Sequence, residues 1–493
     1  MQVKNIIALF HQIEKEFDVE HWTIDELHVW PLIRLDLMMS LSFSESQKQQ
    51  IRLNFLFKVR QALGMLWGYC KYILRSFLDR QKNAIPQPVQ AVFLGDGISR
   101  VLLNEKWFDR FCDPLIEALT NQGQNSFMME PLHHYIVPRF TPSLFIQPHL
   151  DFGLIKNMLF KKRHFKSIHL KNFDRFMAFL QSQHLNIPLP DEERVKTILL
   201  VVKAYAEVYK KILQKTRPLL GFVVCYYGPR GLAFNLACRQ LGITSIDIQH
   251  GVAGEANPAY GQWSKVPPHG YEMLPSLFWC WTQEDALAIE RWNSPVKSWH
   301  KAIVGGHPFV HFWKQNTSRQ AMDIAPEKGS TNLLVTLSYV EDHNATLLSL
   351  LIEAIQRSDN QWKWWIRLHP CLKEKKEEIK KMFSDHHITH VEIDRATDLP
   401  LYFLLSQADV HVTHASATVV EARIFGVPSV VTSEDAVQYF ADEISTEWAI
   451  YAATTSKILE AIESQLTKKR MPYEGKNGTA KMDGIIQKIL QNI

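Results

Sequence analysis

The sequence predicts an α/β protein: two doubly wound domains in tandem behind a helical N-terminal region. Three observations carry this reading. From Ala91 onward, short apolar runs alternate with helical stretches, the pattern of strand–helix–strand units in parallel sheets. Polar residues and glycines gather directly after those runs, where parallel sheets hold their ligands. The chain has 493 residues, too many for one ordinary domain and suitable for two or three.

Composition narrows the class. Hydrophobic residues make up 46% and charged residues 22%, a globular profile that excludes disorder and fibres. Lys plus Arg number 55 against 51 Asp plus Glu, so a net charge of +4 gives no whole-chain argument for nucleic acid as a partner. The six cysteines are scattered and form no Cys-x-x-Cys pair, which fits a reducing cytosol and argues against disulfides or a zinc knuckle. No uncharged apolar run is long enough to span a membrane. The N-terminal apolar run soon meets His11 and Glu14 and lacks a small-residue cleavage site, so it reads as a helix rather than a signal peptide.

Residues 1–90 form the first region. HQIEKEF and RLDLMMSL carry apolar residues at helical spacing. Ile51 to Arg80 is apolar and basic together, with Arg52, Lys58, Arg60, Lys71, Arg75 and Arg80. Two readings stand for it. It is either an interfacial helix on an anionic membrane surface or a helix packed on the body with snorkelling cations. QKNAIPQPVQ then reads as a linker.

Residues 91–265 form the second region. AVFLGDG is a strand entering a glycine turn, a helix follows around Phe108 to Asn121, and SFMMEP is a strand. The stretch from about Tyr135 to Asp191 is irregular. A long helix, about Glu192 to Lys215, precedes GFVVCYY (strand), PRGLAFNLACRQLG (helix) and ITSIDIQHG (strand into loop). The domain boundary is expected in the proline-bearing stretch Ala256 to Pro275. Residues 266–493 then form the third region: strands SLFWCWT, AIVGGHP, NLLVTLSY, WKWWIRLHP, HVEID, VHVTHAS and PSVVTS, interleaved with helices, and a short final helix near Gly484 to Gln491.

The chemistry-bearing candidates follow from the strand-end rule. They are Asp96, Tyr227, Gln249, His250 and Glu255 in the first half, and His307, Ser338, Arg367, His369, Pro370, His414, Ser416 and Thr418 in the second. They would line a cleft between two facing domains. The segment VHVTHASATVVEARIFGVPSVV says most. A strand runs into small hydroxyl residues and a helix starts at once, so free N–H groups with Ser416 and Thr418 would suit an anion, and Glu421 lies on the first turn. Thr418-x-x-Glu421 is equally a capping box that needs no ligand. Among the 14 tryptophans, Trp362, Trp364 and Trp365 read as core, and only Trp263 and Trp281 as ligand candidates. His133-His134 and His386-His387 have no metal-ligand spacing around them, and no strand-end Asp-x-Asp is present.

That hydroxyl-rich segment, with Glu421-Ala422 and Gly426-x-Pro428, resembles the nucleotide-binding end of GT-B glycosyltransferases. Arg367 to Pro370 (RLHP) resembles the histidine–proline motif of bacterial sialyltransferases and teichoic-acid glycerophosphate transferases. Asp247 to Gly251 (DIQHG) is similar to a motif of capsule Kdo transferases and teichoic-acid polymerases. The likeness covers roughly Leu220 to Ala453. The sialyltransferases carry an acidic pair before a glycine where this chain has Gly95-Asp96-Gly97.

The resemblance implies two Rossmann-like domains facing a cleft and a metal-independent, cofactor-free glycosyltransferase of capsule or lipopolysaccharide biosynthesis. It would move a sugar from a UDP- or CMP-linked donor to a surface-polysaccharide or lipid-linked glycan acceptor. Such an enzyme would be cytoplasmic, at the inner face of the membrane. His250, Glu255 and Asp96 are the candidate bases. Arg367, His369, Pro370, Ser416, Thr418 and Glu421 are the candidate nucleotide-sugar ligands. Two other readings remain open: a nucleotide-sugar 2-epimerase-like enzyme, and a non-catalytic two-lobed binding protein.

Overall fold

A computed structural model describes residues 3–42, 88–103, 105–131, 138–160, 165–296, 298–316, 330–338, 341–468 and 482–491. The basic apolar stretch 51–80 and the pair His133-His134 lie outside these residues. The chain divides into two compact units, Met1–His311 with Ala480–Ile493, and Phe312–Thr479.

The first unit is built on seven parallel strands: β1 (Ala91–Leu94), β2 (Ser126–Glu130), β3 (Ser143–Phe145), β4 (Leu220–Val224), β5 (Thr244–Ile248), β6 (Leu277–Cys280) and β7 (Lys301–Val304). Their order across the sheet is β7-β6-β5-β4-β1-β2-β3. Read from the other edge, it begins 3-2-1-4-5-6, the doubly wound order, and it reverses between β1 and β4. Both faces are covered, so β1, β4 and β6 are buried along their whole length and read as unbroken apolar runs. Phe93 of β1 and Phe222 of β4 stack at 4.5 Å across the reversal. Gly221 lets the helix Pro229–Leu241 settle onto β4, since a Cβ there would meet Cys238 Sγ at 2.8 Å.

Residues 3–42 are part of this unit's core rather than a separate region. Helices Val3–Glu16 and Trp30–Ser42 bury Phe10, Ile13, Trp30 and Leu37 against it. Glu14 and Arg34 form a fully buried ion pair. Glu14 also accepts from Trp30 Nε1 at 2.9 Å and from Ser264 N at 2.7 Å. Arg34 donates to the carbonyls of Pro258, Gly261 and Gln262 and lies 4.4 Å from the Trp263 ring. The proline-bearing stretch is therefore a loop clamped inside the first unit. That corrects the boundary expected at Ala256 to Pro275, and the division 91–265/266–493 with it. β6 and β7 extend the first sheet, with Ile246 in register with Leu277 and Leu277 with Lys301. The final helix, Met482–Gln491, also belongs to the first unit, where Gln122 Nε2 donates to Asp483 O at 3.1 Å.

Two smaller expectations change. Phe108 lies in a two-stranded antiparallel ladder, Arg100–Leu103 with Lys106–Asp109, and the helix after it starts at Cys112. The stretch expected to be irregular contains β3 and the helices Gln147–Phe160 and Phe173–Ser182.

The second unit carries six parallel strands: β8 (Thr331–Thr336), β9 (Trp362–Arg367), β10 (Val391–Glu392), β11 (Val410–Thr413), β12 (Ser429–Val431) and β13 (Ala449–Tyr451). Their order is β10-β9-β8-β11-β12-β13, again 3-2-1-4-5-6, with the reversal between β8 and β11. Trp362 and Trp364 are buried on β9, as core packing requires. His411 sits in mid-sheet, fully buried, and ties three strands together. Its Nε2 lies 2.8 Å from Thr336 Oγ1 on β8 and its Nδ1 lies 3.0 Å from Ser429 Oγ on β12.

Candidate functional site

In each unit the strand order reverses once, and open α/β sheets hold ligands at the carboxyl ends of the strands there. In the first unit these are the ends of β1 and β4. After β1, Asp96 is turned onto its own loop: Oδ1 accepts from Ile98 N at 2.8 Å and Ser99 N at 3.0 Å, and Oδ2 from Ser99 Oγ at 2.7 Å. It is an Asp-Gly turn residue held by its own loop.

After β4 the backbone bends sharply. Cys225 has φ +64°, a left-handed conformation unusual for a side chain with a Cβ. Gly231 makes room, because a Cβ there would come within 2.6 Å of the Cys225 carbonyl and of Tyr226 Cα. The bend sends Tyr226 into the core, where its hydroxyl donates to the Ala259 carbonyl and its N–H to Asp247 Oδ1. Tyr227 is sent to β5's end, where its hydroxyl lies 3.0 Å from His250 Nε2.

His250, at the end of β5, is thus joined to Tyr227 at the end of β4. Burial pushes its pKa below the ordinary value, opposed by the negative charge of Asp96, while Arg110 adds to the lowering. Its other ring nitrogen, Nδ1, is buried on the Ile248 side, and the hydrogen bond with the Ile248 backbone also opposes the lowering. Asp247, buried beneath, is pushed up to about 7 by burial. Gln249 is structural: it accepts from Trp281 N at 2.7 Å and donates to Asp285 Oδ2 at 3.0 Å. Glu255 is held by Arg291 at 2.6 Å and Gln262 at 2.5 Å, away from His250's partners.

An aromatic wall completes this end of the sheet. Phe111 lies 6.4 Å from the His250 ring, 6.4 Å from Trp281 and 5.7 Å from His307, and Trp281 packs on His307 at 4.2 Å. The Trp281 indole N–H is buried and bonded to nothing. Trp263 instead packs on Arg34, Tyr271 and Trp292, so it is core.

Beside this crevice lies a buried acidic group. Glu130 pairs with Arg100 at 2.7 Å and Arg139 at 2.8 Å. Asp109 caps Phe111 N and Cys112 N, and Asp113 accepts from Asp109 N at 2.6 Å. Burial raises Asp109 to about 6, with Asp96 adding to the rise, and Asp113 to about 7, with Asp109 adding.

In the second unit the reversal lies between β8 and β11. Ser338 and Asn344 clasp each other, N–H to Oδ1 at 2.8 Å and Nδ2 to carbonyl at 2.7 Å, tying the residue after β8 to the helix Glu341–Arg357. His343, on that helix, faces His414 at 4.7 Å between rings, and His414 Nδ1 lies 2.9 Å from Thr432 Oγ1. Burial, then the His343 charge, lowers His414 to about 4.

Ser416 and Thr418 do come together, hydroxyl to hydroxyl at 3.0 Å. The capping box does not form: Thr418 lies one residue inside the helix and Glu421 accepts from Tyr402 OH at 2.6 Å. The N–H groups expected to be free are also engaged, Thr418 N by Ser416 Oγ, Val419 N by Ser416 O and Val420 N by Ala417 O. Only the two hydroxyls remain from the anion site read in the sequence. Arg367 is spent on backbone, donating to the carbonyls of Ala396 at 2.7 Å and Leu399 at 2.5 Å. His369 is half-buried just past β9, and Pro370 is exposed. His386 and His387 are exposed, as expected. Among the described residues no group of three His, Cys, Asp or Glu side chains is arranged to hold a metal.

No protein-family model matches the chain, and no curated protein matches it. Solved structures do. A UDP-GlcNAc 2-epimerase from Methanocaldococcus jannaschii matches with a TM-score of 0.50 and 16% identity, covering 82% of this chain and 99% of its own. One from Neisseria meningitidis bound to UDP-GlcNAc matches with 0.50 and 13%, over 82% and 99%. One from Rickettsia bellii matches with 0.50 and 9%, over 82% and 97%. At such identities the likeness is one of fold, and the two doubly wound sheets agree with it. The fold is GT-B.

Within GT-B the finer expectation is corrected. A glycosyltransferase serving a surface polysaccharide is not what the similar structures are: they are UDP-GlcNAc 2-epimerases, the alternative reading. The short motifs misled because they report strand ends, which every GT-B enzyme has, and carry little about the reaction. The likeness to capsule and sialic acid transferases is likewise unsupported. No helix among the described residues is long and apolar enough to cross a membrane.

Proposed function

We propose that this protein is a nucleotide-sugar 2-epimerase-like enzyme. The observation that carries the reading is the contact of His250 with Tyr227 across the carboxyl ends of β5 and β4 in the first sheet. Changing the configuration of one sugar carbon requires a proton to leave it and another to return to the opposite face. That work needs neutral groups able to give and take a proton at hydrogen-bond distance. A histidine held neutral by burial, bonded to a tyrosine, meets the requirement.

The second unit supplies the nucleotide's partners. The hydroxyl pair Ser416–Thr418 and the imidazole pair His343–His414 follow β8 and β11, and His369 follows β9, strand-end groups suited to phosphate oxygens. Glu421 and Arg367 support this edge through Tyr402 and the 396–399 backbone. UDP-linked sugars are the substrate class, the class named for the epimerases of the same fold.

Calorimetric titration with UDP, CMP and GDP, each with EDTA present, tests the nucleotide half of the proposal. UDP is expected to bind without added divalent metal. Binding of none of the three, or binding abolished by EDTA, contradicts it.

A further inference from the structure

Resting on the reading of the second unit as the nucleotide's, we infer that His343 and His414 form a proton-linked phosphate site: the pair takes up one proton from solvent when the phosphates of a nucleotide sugar bind. The pair spans the reversal of the second sheet. His343 lies on the first turn of the helix after β8, and His414 is the residue after β11. β8 and β11 are the neighbours at which the strand order turns back, the place where open α/β sheets hold ligands. The two rings face each other at 4.7 Å between centroids, and both residues are half-buried, within reach of a ligand.

Different elements place the two rings. His414 Nδ1 lies 2.9 Å from Thr432 Oγ1, just past β12, and its carbonyl accepts from Ser433 N at 3.1 Å. Nε2 is therefore the nitrogen on the far side of the ring from Thr432. The Ser416 and Thr418 hydroxyls, 3.0 Å apart, follow within four residues of His414. His343 belongs to the first turn of a 17-residue helix, where the helix dipole favours an anion and disfavours a cation.

These surroundings keep the free pair from charging. Burial first, and then the charge of His343, hold His414 down at about 4. Two imidazolium rings this close repel, so the pair has room for one proton and not two. The carboxylates nearest in sequence are Glu341 and Asp342 on the His343 turn, and Glu434 and Asp435 after Ser433; the lowering of His414 traces to none of them. A phosphate brings the opposite charge and strong acceptor oxygens, and both favour imidazolium. The phosphates of a nucleotide sugar carry no proton of their own near neutral pH, so the proton gained goes to the protein. No covalent bond changes. A group held low when free and raised when bound makes binding tightest in acid. Affinity then weakens as pH rises, by up to about tenfold per pH unit for one proton.

The experiment is calorimetric titration of UDP-GlcNAc into the full chain with EDTA, at about pH 6.5, in buffers of different ionisation enthalpy. The slope of observed enthalpy against buffer enthalpy counts the protons taken up. Epimerisation itself gains or loses no net proton, so turnover leaves the slope unchanged. About one proton is expected, with affinity weakening roughly three- to tenfold per unit between about pH 5.5 and 7.5. The double variant His343→Gln/His414→Asn keeps amide donors in place of the ring nitrogens. It should take up no proton and bind about tenfold or more weakly at about pH 6, with the difference closing towards about pH 8. Uptake below about 0.2 proton in the unsubstituted protein overturns the proposal and leaves the nucleotide reading standing, whether or not the double variant folds. Undiminished uptake in a folded double variant puts the proton elsewhere and overturns it as well. Binding of neither UDP-GlcNAc nor UDP overturns both.

Discussion

At the scale of single residues, the proposed function assigns binding and turnover to different units. His369 stands at the end of β9 in the unit assigned the nucleotide, and His250 at the end of β5 in the unit assigned the proton. His369→Ala is expected to weaken UDP binding about tenfold, the worth of roughly one charge-assisted hydrogen bond. His250→Ala should leave UDP affinity unchanged and lower turnover by about 100-fold. Titration and initial-rate measurement on the same preparations check both. A His250→Ala protein of normal rate would remove it from the chemistry. The strand-end rule found these histidines, Ser416 and Thr418 in the sequence, since it depends only on where apolar runs stop. It could not tell Asp96 or Arg367 from ligands. Their partners are loop amides and distant carbonyls, which no local spacing reveals.

At the scale of elements, the clamp between the N-terminal helices and the 258–264 loop is the feature local pattern could not show. The apolar spacing of residues 3–42 was legible as helix. That Glu14 and Arg34 meet, 20 residues apart, and then hold a loop some 220 residues further on, is a tertiary fact. The same holds for β6 and β7: each was visible as a strand, yet sheet membership depends on which neighbour it bonds. Removing one partner of a buried ion pair strands the other, at a cost of about 3–5 kcal/mol. Arg34→Met is therefore expected to lower unfolding free energy by roughly that amount in urea denaturation. A loss below about 1 kcal/mol would show that the clamp contributes little. Because the clamped loop begins seven residues after Gly251 of Gln249-His250-Gly251, a stable partial variant should also show reduced turnover before reduced UDP binding.

At the scale of the whole molecule, stability depends on pH with opposite signs from two sets of groups. Asp113, raised to about 7 from an ordinary 3.8, keeps its proton in the folded chain where the unfolded chain has lost it. Its stabilising contribution is full below the ordinary value and is lost as pH rises through about 7. Asp113→Asn, permanently neutral, is expected to melt higher than the unsubstituted protein at pH 8 and alike at pH 4. A melting difference that does not change with pH would refute the assignment. His411, lowered to about 3 by burial between Thr336 and Ser429, acts the other way. Its contribution is present above the ordinary histidine value and is lost as pH falls towards about 3, so acid should weaken the central strand of the second unit.

The central claim is that the chain inverts one carbon of a nucleotide sugar and needs no acceptor glycan. The most direct measurement is proton NMR of UDP-GlcNAc incubated with the protein and EDTA, with no acceptor present. We expect a second UDP-linked N-acetylhexosamine, epimeric at carbon 2, to grow in as the first declines. A spectrum that stays unchanged while UDP binding is intact would contradict the claim.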